Sequence, residues 1–206
     1  MDLDWFVASF PSSSTLMAVA VGIGLSASAG FRVFLPLLVA AVAARLGWLP
    51  LQGEFAWIGT TPAIIAFATA AATEIAAYYI PFVDNLLDTI ASPLAVAAGG
   101  LVMTSLLPVD NDLLKWTLGL IAGGGAAAAV QGGTVLTRLA ATKLTAGLGN
   151  GALSTGENVL ALGGSLSALL LPFITAGSML LLIGYLLFRF GARLFSRRNA
   201  VDDLPQ

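Results

Sequence analysis

Long apolar stretches separated by short polar segments dominate the chain. Residues 12–48 and 113–144 are each too long for one membrane crossing and contain several glycines, so each predicts two helices or one broken pair. Proline ends one apolar stretch at Pro81 and separates two others at Pro172, while 108–112 predicts an aqueous turn. Single helices are predicted at 61–80, 91–107, 158–171 and 173–195, with an amphiphilic segment at 81–88 and a flexible polar one at 145–157.

The fold class that follows is all-α, a polytopic transmembrane helical bundle. Hydrophobic residues make up 58% of the chain and charged residues 10%, with a mean hydropathy of +0.92, whereas soluble domains carry about a quarter charged residues. The apolar stretches also lack the alternation of barrel strands. We expect one transmembrane domain over 1–206 with about six to eight membrane segments, including broken or re-entrant helices.

The two halves of the chain, 12–107 and 113–196, share part of their pattern of glycines and aliphatic residues. Many transporters place their binding site where two such repeats meet. The shared pattern is either a degenerate internal repeat or a chance match between two stretches rich in Ala, Gly and Leu. The matching pairs are Gly22 with Gly124, Gly30 with Gly132 and Val33 with Val135.

The residue types in the chain exclude several kinds of chemistry. There is no histidine and no cysteine, so histidine-ligated zinc or haem, a Ser-His-Asp triad and thiolate sites are excluded. There is also no basic stripe of the kind that binds nucleic acid. We assign no catalytic residue and favour a protein that is not an enzyme.

Both ends of the chain carry topological information. Residues 1–11 lack the basic region of a cleavable signal peptide, so we expect this segment to be retained. Residues 193–206 form a basic tail directly after an apolar stretch, and flanks rich in Lys and Arg stay in the cytoplasm. We therefore expect a multi-pass protein with a cytoplasmic C-terminus.

Acidic residues at membrane depth are the first candidates for a site, because a charge at the bilayer centre costs at least about 2.5 kcal/mol unless it is paired or wetted. Glu74 lies deep in its predicted span, too deep to cap that helix, and Tyr78 follows one turn later on the same face. Asp84 and Asp88, with Asn85 between them, form an acidic edge. This edge either belongs to a site or caps a helix at the interface.

A similar acidic group occurs in the second half. Glu157 is preceded by Ser154 and followed by Asn158. These residues are candidates for the same site as Glu74. The spacing of Ser154 and Glu157 also fits a capping box at the start of a helix, and both interpretations stay open.

The candidate positive partners of these acids are Arg32, Arg138 and Lys143. Arg32 follows a run of small residues that includes Ser26 and Ser28, where a helix can break or two backbones can approach closely. The two arginines could neutralise a buried acid or bind an anion. They could equally extend their long side chains to the membrane interface.

Four stretches give the chain a resemblance to a known family. They are GLSASAGFR (24–32) followed by Leu-Pro-Leu (35–37), Glu74 with IPFVDNLLD (80–88), GLGN (147–150) and STGEN (154–158). The chain resembles the largely bacterial membrane proteins catalogued as domain of unknown function 4126. The resemblance implies a polytopic protein of the bacterial inner (cytoplasmic) membrane and adds Asn150 to the candidates. Many members carry Asp in place of Asn158, so a metal site that relies on this second acid is weakened here.

The leading hypothesis for function is a secondary transporter or ion-coupled carrier with its site between the two halves. Carboxylates would hold protons or a hard cation such as Mg²⁺, Ca²⁺, Mn²⁺ or Na⁺. The expected partners are membrane lipids, a small ion or anionic substrate and, through the glycine-rich faces, a second copy of the chain. The candidate metal ligands are Glu74, Asp84, Asp88 and Glu157.

Two alternative functions remain. One is a polyprenyl- or lipid-phosphate flippase or phosphatase, in which Arg32 and Arg138 would grip a phosphate. The other is a membrane scaffold that transports nothing. The first alternative predicts that the arginines are the decisive residues, and the second predicts that polar substitutions preserving expression are tolerated.

Overall fold

The protein was analysed as a computed structural model, which describes residues 13–51, 53–80, 83–145 and 149–202, with side chains except at 13, 14, 84, 85 and 190–202. The described part is all-helical, as the sequence predicted, and contains eight α-helices. The predicted N-terminal lead, 1–11, lies outside it. The helices are α1 (Ser13–Ala29), α2 (Phe34–Arg45), α3 (Thr61–Ala77), α4 (Val83–Leu106), α5 (Asp112–Leu118), α6 (Gly125–Thr145), α7 (Asn150–Leu170) and α8 (Pro172–Asp202).

Several of these helices are long and apolar enough to cross a membrane. Three described helical segments qualify by themselves: Leu86–Leu106, Asp112–Thr145 and Pro172–Arg189. The 3₁₀ helix Gly53–Gly59 and α3 qualify together as a pair bent by 61°. The chain is therefore a helical membrane protein with three to four candidate spans, to which shorter apolar helices are added.

The shorter apolar helices α1 and α2 form the broken pair that was predicted for the first apolar stretch. Residues 30–33 separate them, and the start of α1 lines one apolar cavity together with residues 48–50, which follow α2, so the two helices are antiparallel. The 12 residues of α2 rise about 18 Å, which is less than the roughly 30 Å of a bilayer core. Helix α2 by itself is therefore too short to cross the bilayer core. We call α1, α2 and the residues 30–33 between them the hairpin, and residues 30–33 its tip.

Gly30 allows the hairpin tip to touch the backbone of α6. A Cβ atom at this position would lie 2.5 Å from the carbonyl oxygen of Ala127 and 2.9 Å from the amide nitrogen of Gln131. Any larger residue would therefore push the tip away from α6. Gly132, its partner in the predicted repeat, lies inside α6 with open space around it, so the two matched glycines have different roles.

The second long apolar stretch is less broken than the sequence predicted. Residues Asp112–Thr145 follow one continuous helical path, with a π-helical turn at Gly119–Gly124. The glycines in this turn let α4 pack closely, because Gly99 of α4 lies against the carbonyl group of Gly123. They serve close helix packing and do not end the helix.

The polar segment predicted at 145–157 is also more ordered than expected. Helix α7 already begins at Asn150, so Ser154 and Glu157 lie inside it and are not the capping box that starts a helix. Both side chains are buried in the bundle, which explains why a polar sequence forms a helix here. Pro172 separates α7 from α8 as predicted, whereas Pro81 lies outside the described residues.

One end of the molecule carries three tryptophans, and we call it the tryptophan end. Trp48, Trp57 and Trp116 are 66%, 48% and 39% exposed, respectively, and tryptophan concentrates at membrane–water interfaces. Lys115 is buried at this end, with its ammonium group 3.9 Å from Glu54. The continuous helical path from α5 through α6 and helix α8 both run from the tryptophan end to the opposite end of the bundle, which we call the basic end.

Gly99→Ala should lower the thermal unfolding temperature, because the new Cβ would lie 2.6 Å from the carbonyl oxygen of Gly123 and overpacking of this kind costs about 1–3 kcal/mol. Gly125→Ala is the matched control. Its Cβ meets open space, and alanine is the better helix former by about 1 kcal/mol. Scanning fluorimetry in detergent compares the two variants, and an unchanged midpoint for Gly99→Ala would contradict the close contact.

Candidate functional site

Arg32, at the tip of the hairpin, is almost completely buried, with 1% of its surface exposed. Its Nη1 donates to Glu157 Oε2 at 2.8 Å, and its Nε donates to Asn158 Oδ1 at 2.6 Å. The carbonyl group of Phe31 also accepts from Nη1, at 3.1 Å, and that of Ser154 accepts from Nη2, at 3.3 Å. The hairpin tip is therefore tied to α7 by a single side chain.

Arg138 of α6 meets the same carboxylate from another side. Its Nη2 donates to Glu157 Oε2, the oxygen that also accepts from Arg32. Its Nη1 lies 3.5 Å from Ser154 Oγ, and its Nε lies 3.4 Å from Asp88 Oδ2. One buried carboxylate oxygen thus holds two buried guanidinium groups.

Tyr78 packs against both arginines just after the end of α3. The centre of its ring lies 3.9 Å from Arg32 Cζ and 4.4 Å from Arg138 Cζ. Its hydroxyl group donates to Asp88 Oδ1 at 3.1 Å. The electron-rich ring face stabilises a neighbouring cation, and the effect grows when both groups are removed from water.

Glu74 does not pair with an arginine but caps the start of α2. Its two carboxylate oxygens accept from the backbone N–H groups of Val33 and Phe34, at 2.8 and 3.0 Å. The first N–H groups of a helix have no partner within the helix and carry a partial positive charge. The sequence excluded capping of Glu74's own helix. It gave no sign that Glu74 would cap another one.

A second layer of polar groups surrounds the arginines. Asn158 accepts from Arg32 and donates to the hydroxyl group of Tyr79, at 3.3 Å. Tyr79 also lies 2.9 Å from the hydroxyl group of Thr155. Neither Tyr79 nor Thr155 was among the predicted site residues, although each directly follows one in the sequence, Tyr78 and Ser154 respectively.

Three clefts reach the site from different sides, and each opens onto a different acid. Glu74 lines a cavity of about 300 Å³ between α2, α3 and α4. Glu157 lines one of about 270 Å³ between α6, α7 and α8, and Asp88 lines one of about 500 Å³ between α4 and α6. The acids face the clefts, while Arg32 and Arg138 lie buried between them.

Residues 19–191 match the family described as "Domain of unknown function (DUF4126)". The chain belongs to this family. No curated protein and no solved structure matches it.

Most of the site residues predicted for this DUF4126 protein lie together. Asn150 lies beside the cluster, bonded to Thr142 of α6. Ser26 and Ser28 lie elsewhere, since their hydroxyl groups donate to the carbonyl groups of Gly99 and Gly24 within the helix packing. The residues brought together are Arg32, Glu74, Tyr78, Asp88, Arg138, Ser154, Glu157 and Asn158.

The predicted metal site has weaker support from this geometry. Among the described residues there is no group of three or more Asp, Glu, His or Cys side chains placed to hold a metal ion. Glu74 is bonded to backbone amides and Glu157 to arginines, and such contacts occupy the oxygen atoms that a cation would need. The side chains of Asp84 and Asn85 lie outside the described residues.

Glu74→Gln should lower the thermal stability of this DUF4126 protein. An amide has one acceptor oxygen, so one of the two capped N–H groups loses its partner inside the bundle, at a cost of about 1–3 kcal/mol. Asp110→Asn is the control, because that side chain is exposed in the turn at 108–112. Equal unfolding midpoints for the two variants would contradict the capping role.

Tyr78 allows its ring and its hydroxyl group to be tested separately. Tyr78→Phe removes the hydrogen bond to Asp88, at a cost of about 1 kcal/mol, and keeps the ring against both arginines. Tyr78→Leu also removes the ring and should cost about 2 kcal/mol more. Thermal midpoints of the two purified variants give the comparison. If the leucine variant is as stable as the phenylalanine variant, the cation–π contacts contribute nothing.

Proposed function

We propose that this protein is a proton-coupled secondary carrier of a small anion, with Glu157 as the residue that takes up the proton. The observation that supports this most is that Arg32 and Arg138 share one oxygen of Glu157 inside the bundle. Ionisable groups at membrane depth commonly mark substrate and proton pathways. The proposal refines the expected ion-coupled carrier by making the coupled ion a proton and the substrate an anion.

Charge balance supports the coupling. Two arginines face two carboxylates, those of Glu157 and Asp88, so this group of four is neutral when all are ionised. Glu74 is balanced separately by the start of α2. A proton on Glu157 leaves one uncompensated positive charge, which is costly in an apolar interior. Binding of a monovalent anion restores neutrality, so proton and anion favour each other.

The geometry of the arginines suits an oxyanion. Guanidinium groups bind carboxylate, phosphate and related anions through two parallel hydrogen bonds. Each arginine already donates one hydrogen bond to the carboxylate of Glu157. In the proposed cycle the protonated Glu157 withdraws, and a small anion takes the place of its carboxylate between Arg32 and Arg138.

The hairpin formed by α1 and α2 is the element that we propose to move during transport. Transporters commonly place broken helices at their binding site, with helix ends facing the substrate. Here the tip is held to α7 through Arg32. Exchange of Glu157 for an anion changes this contact, so it biases the position of the hairpin relative to α7. We also place the basic end in the cytoplasm of a bacterial inner membrane, because Lys143 and Arg189 lie there.

Small anions should raise the thermal unfolding temperature of the purified protein, and more at about pH 5 than at about pH 8, because Glu157 must be protonated. The probes are sodium nitrate and sodium sulfate, whose charge does not change between these pH values, with gluconate as the reference salt at equal ionic strength. An anion at a hundredfold excess over its Kd stabilises by about 2.7 kcal/mol. Scanning fluorimetry gives the shift at each pH.

Three variants show which residues are responsible for the stabilisation by anions and for its pH dependence. Glu157→Gln fixes the site in its uncharged form, so anions should stabilise it equally at both pH values. Arg138→Gln should abolish the stabilisation, and Glu54→Gln should behave as the wild type. If no anion acts, or if the pH dependence survives in Glu157→Gln, the proposal is wrong.

The other candidate functions give different results in the same experiment. Stabilisation by Mg²⁺, Ca²⁺, Mn²⁺ or Na⁺ that is lost in Glu74→Gln would indicate a cation carrier. Stabilisation by polyprenyl phosphate alone, lost in Arg32→Gln, would indicate a lipid-phosphate function. A response to none of these ligands would favour the scaffold.

A further inference from the structure

The cleft between α4 and α6 differs from the other clefts in its chemistry. Hydroxyl and charged groups line much of it: Asp88, Thr89 and Ser92 from α4, and Thr142 and Lys143 from α6. The cavities beside Glu74 and Glu157 are lined mostly by aliphatic and aromatic side chains. A hydrophilic solute therefore loses least hydration free energy in the α4–α6 cleft.

The inner end of this cleft leads to Arg138 Nε, a nitrogen whose N–H group donates no hydrogen bond within the described residues. Arg138 is 1% exposed, and its Nε is a buried donor without a hydrogen-bond partner in the described part of the chain. This atom lies 3.4 Å from Asp88 Oδ2, which lines the cleft. A buried donor without a partner costs about 1–3 kcal/mol. A ligand oxygen arriving through the cleft would satisfy it.

The outer part of the cleft carries a positive charge. Lys143 is exposed and lies two residues before the end of α6, at the basic end of the bundle. Thr142, next to it, forms a hydrogen bond with Asn150, which lies beside the site. Positive charge at the mouth of a cleft with low-dielectric walls raises the local concentration of anions and their rate of entry.

We infer that the α4–α6 cleft is the entrance through which a small hydrophilic anion reaches Arg138, with Lys143 as its first contact. This inference rests on the proposed function, since it gives the route and the class of the substrate for the same site. An anion with a long alkyl chain fits this polar cleft poorly and would suit the apolar cavity between α6, α7 and α8 instead.

The inference is tested by single cysteines, because the chain has none of its own. Thr142→Cys and Ser92→Cys place a thiol in the cleft. Thr134→Cys is the matched control, because Thr134 is equally half-buried on α6 but lines the apolar cavity beside Glu157. In lipid nanodiscs, where both membrane faces are open to reagents, each variant is treated with methanethiosulfonates bearing either a sulfonate or a trimethylammonium group.

Both cleft cysteines should react, and Thr134→Cys should not. The sulfonate reagent should react faster than the ammonium reagent at Thr142→Cys, and adding Lys143→Gln should reduce this preference by about tenfold, the lower end of electrostatic steering effects. Sodium nitrate or sulfate should slow the reaction at Thr142→Cys, but not when Arg138→Gln is also present.

Unreactive cysteines at both cleft positions would overturn the entrance. Reaction without a preference for the sulfonate reagent, or with a preference that Lys143→Gln leaves unchanged, would overturn the anion selectivity of the cleft. The two proposals fail separately. If the cleft is reactive and anion-selective but no anion stabilises the protein, the entrance is retained and the carrier is rejected. If anions stabilise the protein but the cleft cysteines are unreactive, the carrier is retained and the entrance is rejected.

Discussion

The shared ion pair of Arg32 and Arg138 with one oxygen of Glu157 is the interaction on which the site depends. Two guanidinium groups buried in an apolar bundle are tolerated only when they are paired and hydrogen-bonded. This requirement explains the neighbouring features. The hairpin tip reaches the bundle interior, Tyr78 packs against both cations, and polar residues of α7 face inward. Removing Glu157 without a replacement leaves both charges uncompensated.

In the proposed carrier, the positions of the charged side chains also separate proton uptake from anion binding. The acids Glu74, Asp88 and Glu157 each face a cleft, whereas the arginines lie between them out of reach. In the proposed carrier, protons would reach the acids before any anion reaches an arginine, and protonation of Glu157 would free an arginine. This order would give a neutral resting state and a binding state that needs both partners, as coupled transport requires.

The sequence predicted the all-helical membrane class, the break before Arg32, the turn at 108–112 and most of the site residues, because hydropathy, proline and buried charge act locally. It could not show which charges meet. Glu74 caps a helix that lies in a different part of the chain, and Glu157 lies inside α7 because Arg32 and Arg138 bury it there. Ser26 and Ser28 resembled site residues but serve helix packing. Such long-range pairing is decided by tertiary contacts, which override local patterns.

The most direct test of the account is proton uptake on anion binding. Sodium nitrate or sulfate is added to the purified protein in a weakly buffered solution near neutral pH, where these anions take up no protons themselves, and the pH change is recorded. The account predicts an uptake of about one proton per protein molecule, absent in Glu157→Gln, because the proton sits on Glu157. Anion binding without proton uptake, or with equal uptake in Glu157→Gln, would contradict it.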